Sequence, residues 1–151
     1  MKRLLLLLII VGWSSHLSAA DPAPEEDLQS LQGKWVRQMH DKRAGPVTVE
    51  QELTKDHADV KVIDRQGNVI YRHKVKFRLQ RLEDVNLLVY YDLEVLEGHK
   101  KGFKQKTIQP CIYRLKGDRL YVAEGLVNGD SFPPQILVWW KVKPPATDAA
   151  L

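Results

Sequence analysis

The sequence predicts an all-β domain, an antiparallel eight-stranded up-and-down barrel, on three observations. Its apolar residues recur mainly with period two rather than 3.6. The breaks between these runs carry turn residues: Ala44-Gly45-Pro46, Gln66-Gly67-Asn68, Lys116-Gly117-Asp118 and Asn128-Gly129-Asp130. The runs number eight, enough to close a barrel whose interior is filled by side chains or holds one small ligand. A two-sheet sandwich uses the same alternation and is the structural alternative.

In chain order, Lys2-Arg3, the apolar run Leu4 to Val11 and the small residues Ser18-Ala19-Ala20 have the three parts of a secretory leader, with cleavage expected after Ala20. The run is far shorter than the ~20 residues of a membrane span, and no second stretch is long enough to cross a bilayer. Of the formal net charge of +4, two charges sit on Lys2 and Arg3, so the processed chain is close to neutral at +2 and gives no reason to expect nucleic acid as a partner. Residues 21–26 are acidic and proline-rich and read as a disordered tether; 143–151 read as a frayed tail, and 27–142 as one domain. A single cysteine, Cys111, closes no internal disulfide, so the fold rests on packing.

Within the domain an amphipathic lead-in, Asp27 to Gln32, runs into Gly33-Lys34-Trp35. Strands are expected at Lys34 to Met39, Val47 to Leu53, Ala58 to Ile63, Val69 to Gln80, Val85 to Val95, Thr107 to Leu115, Arg119 to Ala123 and Ile136 to Val142. The clearest alternation sets Val69, Tyr71, His73, Val75, Phe77 and Leu79 on one face and the cations Arg72, Lys74, Lys76 and Arg78 on the other. Val85, Leu87, Val89, Tyr91, Leu93 and Val95 repeat the pattern. Matching apolar to apolar across this hairpin requires an odd loop, Leu82-Glu83-Asp84, which sets Phe77 opposite Val89, Val75 opposite Tyr91, Lys74 opposite Asp92 and Arg72 opposite Glu94.

Leu31-Gln32-Gly33-Lys34-Trp35, the run Ile112 to Leu120 and Pro133-Pro134 before the last strand, in that order, resemble a family of small lipocalin-like (calycin-type) domains in exported bacterial proteins, especially of planctomycetes. The resemblance covers nearly the whole processed chain. It implies a barrel whose floor is closed by the tryptophan of Gly33-x-Trp35, under a cation supplied by Lys141 or Arg119. The Thr-Asp-x-Tyr signature of transport lipocalins has no counterpart, Tyr90-Tyr91-Asp92 holding related residues in another order, so no retinoid, lipid or pigment cargo is implied.

If the barrel holds a cavity, the inward faces nominate Tyr71, His73, Val75, Phe77, Val89, Tyr91, Tyr113 and Trp140 as its lining; the competing reading is a filled core. His73 is the one imidazole on an apolar face, where a hydrogen-bonded core histidine is the simplest role. The other histidines lack the paired spacing of a metal site, and no cofactor is implied. Catalytic provision is thin: two serines outside the leader, no Gly-x-Ser-x-Gly elbow, Cys111 among apolar neighbours, and Glu50 and Glu52 on what reads as a solvated strand face. The expectation is therefore a monomeric binding module, not an enzyme, for a small apolar or amphipathic ligand. The alternative is an envelope-associated domain with a packed core that meets anionic polymers through Arg72 to Arg78 and the Lys100 to Lys106 cluster.

Overall fold

The computed structural model describes residues 21–22, 25–106, 108–126 and 133–143. The expected leader, the Asn128-Gly129-Asp130 turn and the tail beyond 143 lie outside the described residues. A short helix, α1 (Glu25–Leu31), precedes the strands β2 (Gly33–Asp41), β3 (Gly45–Thr54), β4 (His57–Ile63), β5 (Val69–Leu82), β6 (Val85–Glu97), β8 (Gln109–Lys116), β9 (Arg119–Glu124) and β10 (Gln135–Lys141). Two two-residue strands complete the sheet: β1 (Asp21–Pro22) on the outer length of β5, and β7 (Lys104–Gln105) on β6. Part of the expected tether thus belongs to the fold, as β1 and the first turn of α1.

Every pairing is antiparallel. The order β5-β4-β3-β2-β10-β9-β8-β6 returns to β5 through the β5–β6 hairpin, which closes an eight-stranded barrel and leaves no sandwich. The eight predicted strands are these eight, each within about two residues of its expected ends. Closure joins the first long strand to the last, with Lys141 opposite Trp35 and Trp140 opposite Val36.

The inward faces follow from period two. On β2 they are Trp35, Arg37 and Met39; on β3, Val47, Val49, Gln51 and Leu53; on β5, Tyr71, His73, Val75, Phe77 and Leu79. Trp35, Leu53, Ala58, Phe77, Leu88, Tyr113 and Leu120 pack the end of the barrel that α1 covers.

That closure is built on the carbonyls α1 leaves unpaired at its C-terminus. The Trp35 indole N–H donates to the Leu31 carbonyl at 2.8 Å, and Lys141 Nζ donates to the Ser30 carbonyl at 2.7 Å while lying 5.3 Å from the centre of the Trp35 ring. The cation over Trp35 is therefore Lys141. Gln32 reaches back to the Leu28 carbonyl and across to the backbone of Lys55, whose φ of 56° turns β3 into β4. Gly33 makes the bend between helix and strand with φ of 109°.

The β5–β6 register differs from the sequence expectation. Leu82 pairs with Val85, so the loop is the two residues Glu83-Asp84, with Glu83 in the left-handed region at φ 52°. An even loop sets Phe77 opposite Tyr90 and Leu79 opposite Leu88, which puts Leu88 and Tyr90 inside and Val85, Leu87, Val89 and Tyr91 outside. A β-bulge at Tyr91-Asp92, with Asp92 at φ 52°, then restores the opposite parity, so that Leu93 and Val95 point inward. The ion pairs shift accordingly. Asp92 binds Lys76 at 3.1 Å rather than Lys74, Lys74 stands opposite Glu94, and Arg72 holds Asp59 through two hydrogen bonds of 3.0 and 2.7 Å.

Trp35→Ala removes a fully buried ring and the donor to Leu31, and is expected to destabilise the domain by roughly 3 to 5 kcal/mol. Chemical denaturation checks it; an unchanged midpoint would mean that the indole does not seal the barrel.

Candidate functional site

Above the sealed end the barrel is not filled. A cavity of about 280 Å³ lies among β2, β3, β4, β5, β6, β9 and β10 and opens toward Gln109, Glu124 and Gln135. Val49, Val60, Val75, Leu93 and Leu137 give it apolar walls, and Trp139 forms one side. Its polar groups are Arg37, Gln51, His73, Tyr90 and Glu124, each placed by strand parity one or two positions from the sealed core. One cross-strand row runs Trp35, Gln51, Val60, His73, Val95, so the plug and two of the polar side chains share a single level of the barrel.

Gln51 is only 2% exposed and donates through Nε2 to the Tyr90 hydroxyl at 3.1 Å. With that oxygen accepting, the phenolic hydrogen remains to be donated. Burial pushes the Tyr90 phenol well above its ordinary range, so it stays protonated. The Arg37 guanidinium lies 4.9 Å from the centre of the Trp139 ring. Its Nε is buried and has no hydrogen-bond partner among the described residues. Burial lowers its pKa, opposed by the field of Glu124. Glu124 is raised by burial and accepts from Gln135 Nε2 at 3.2 Å. His73 Nδ1 is likewise buried and unpartnered, while the ring tilts against Tyr71 at 5.4 Å between centroids. The imidazole is not the hydrogen-bonded core histidine expected from its place on an apolar face.

Of the residues nominated by sequence, His73 and Val75 line this cavity. Tyr71 is half-buried beside His73 and under Gly98, where an added Cβ would meet it at 3.1 Å. Phe77 and Tyr113 belong to the sealed core, and the Tyr113 hydroxyl donates to Asp27 at 2.8 Å to tether α1. Val89 and Tyr91 face outward because of the even loop. Val89 is nevertheless buried between its cross-strand neighbours Arg78 and Pro110, and Tyr91 lies beneath Arg78. Trp140 also faces outward and is 45% exposed; the inward tryptophan is Trp139, at 5%.

Sequence reasoning missed Arg37, Gln51, Tyr90, Glu124 and Trp139. Period two held the signal for four of them. Arg37 follows Trp35 by two, Gln51 lies between Val49 and Leu53, Glu124 follows Val122, and Trp139 precedes Lys141 by two on the face that reaches Trp35.

The remaining chemistry is quiet. Burial, with the field of Glu124, pushes the Cys111 thiol up to about 12, so it stays protonated at neutral pH. Glu50 pairs with Lys34 at 2.7 Å on the outer face. No group of three or more metal-ligating side chains occurs among the described residues. A second, more open groove of about 590 Å³ runs between α1 and β5 past Leu28, Phe77 and Leu79, and its polar members Gln32 and Lys55 bond to each other. No helix among the described residues is long and apolar enough to cross a membrane. Comparison with protein-family models, with curated proteins and with solved structures finds no match.

Burial holds the His73 pKa below the ordinary 6.5, weakly opposed by Asp59. As the pH falls through 6.5 the unfolded chain takes up a proton that the folded chain refuses, so stability declines until the folded imidazole itself protonates. His73→Leu is expected to abolish that part of the decline. Melting temperatures of both proteins from neutral pH to about 5 check it, since Asp59, held low by Arg72, acts only at lower pH and Glu124, raised by burial, is present in both proteins and drops out of their difference.

Proposed function

We propose that the chain is an exported, non-enzymatic binding module whose barrel holds one small amphipathic molecule in the cavity between Arg37, His73 and Trp139. The observation that carries this reading is a pair of buried polar atoms, Arg37 Nε and His73 Nδ1, left without partners on two residues that line the same apolar-walled space. Leaving such groups unsatisfied costs on the order of 1 to 3 kcal/mol each, a cost that a ligand with matching acceptors removes. Export is supported by the leader pattern of residues 1–20.

The alternative, a packed domain that meets anionic polymers, is disfavoured by the outer cations themselves. Arg72 is held by Asp59 and Glu97, Lys76 by Asp92 and Lys104 by Glu94, so three of the eight cations that this reading invokes are already paired in place.

Native mass spectrometry of the protein purified from its own host's envelope fraction tests the reading. The expected outcome is a small-molecule adduct at one copy per chain that is lost on denaturation. It should also disappear when Val75→Trp fills the cavity in protein that still melts cooperatively. A bare polypeptide mass in protein kept at physiological salt would favour the polymer-binding alternative.

A further inference from the structure

We propose that the molecule held in the barrel is a small organic acid, its carboxylate received by Arg37 with Tyr90 and His73, and its apolar body lying against Val49, Val60, Val75 and Leu137. This rests on the reading of the barrel as a ligand site and adds the charge and size of what fills it.

Charge follows from the donors. Arg37 makes no hydrogen bond and no ion pair among the described residues, although it is one of only two charged side chains that line the cavity. The other, Glu124, does not reach it and accepts from Gln135 instead. A guanidinium taken partly out of water, with Glu124 acting on it only through its field and not through an ion pair, is costly, and the Trp139 face offsets only part of that cost. An uncharged ligand would leave the imbalance in place, and a cation would add to it. A carboxylate cancels it and matches the planar fork of N–H groups that Arg37 presents.

The neighbouring groups point the same way. Tyr90 already accepts from Gln51 and has its hydrogen left to give, and His73 Nδ1 is unpartnered. Arginine supplies donors only, so the ligand must bring acceptors.

Size follows from the space. About 280 Å³ is roughly the liquid volume of nine waters, at the low end of small-molecule pockets. That suits a short-chain or single-ring acid. The mostly apolar walls favour such an acid over an inorganic anion, which would leave them facing nothing.

The test uses three probes of one shape: benzoate, benzyl alcohol and benzylamine, each titrated into the purified protein while the tryptophan indole resonances are followed by NMR. Benzoate is expected to saturate at one site and to shift Trp139. The alcohol and the amine should bind at least about tenfold more weakly. Arg37→Gln should weaken benzoate about tenfold to a hundredfold, the range for one charge-assisted hydrogen bond, and leave the alcohol unchanged. Arg37→Lys, which keeps the charge and loses the fork, should fall between. The ranking of the three probes on the unaltered protein decides the matter even if Arg37→Gln fails to fold. Equal binding of alcohol or amine, or benzoate binding indifferent to Arg37, overturns the organic-acid inference and leaves the barrel as a ligand site. No binding by any probe overturns both.

Discussion

One hydrogen bond organises this barrel, from the Trp35 indole to the carbonyl of Leu31. A seven-residue helix is too short to persist by propensity alone, so α1 depends on the burial of Leu31 in the core and on the barrel groups that take up its exposed carbonyls. Trp35 comes from the first long strand and Lys141 from the last, and they occupy adjacent carbonyls of the same helix. The contact that seals one end is therefore also the contact that joins the two edges of the sheet. Gln32 and Tyr113 add ties to the β3–β4 turn and to Asp27, so sealing draws on four separate strands or turns.

The sealed end divides the interior into two regimes. Toward α1 the side chains are aromatic and aliphatic and pack to completion. In the same cross-strand row as the plug, Gln51 stands between Trp35 and Val60, and polar groups enter the inward faces at Arg37, His73, Tyr90 and Glu124. Polar residues on a barrel's inward face cost stability unless they are satisfied, and here two of them are not. Real proteins break local consistency at functional sites, and the unsatisfied pair belongs to residues that line the barrel cavity.

Much of the architecture was legible in the residues, and the site much less so. Eight alternating runs, turns at Gly45, Gly67 and Gly117, and a Gly33-x-Trp35 floor led to the correct closed barrel. Alternation on β5 placed His73 and Val75 correctly because its outer face is plainly cationic. β6 and β10 failed for a shared reason. Both faces of Leu87-Leu88-Val89-Tyr90-Tyr91 and of Ile136 to Trp140 are apolar, so hydrophobicity does not say which one turns inward. Parity carried from Lys141 would have chosen Trp139. Nothing in Tyr91-Asp92 announces a bulge, although aspartate tolerates the left-handed conformation it adopts there. Arg37 and Glu124 were overlooked because charge was read as exposure.

The even loop and the Asp92 bulge stand to each other as a mutation and its suppressor in a reading frame. Relative to an odd loop, the even loop inverts the segment Val85 to Tyr91 and the bulge reverses that inversion at Leu93 and Val95, before a further irregularity sets Glu97 opposite the outward Arg72. Evolutionary drift in this hairpin is thereby constrained in an unusual way. Loss of one residue from the bulge would turn Leu93 and Val95 out of the barrel, whereas a residue gained in the loop is absorbed there as long as Leu82 still pairs with Val85. Length changes in this hairpin should therefore collect in the loop and spare the bulge, because only the bulge decides whether the cavity keeps Leu93 in its wall.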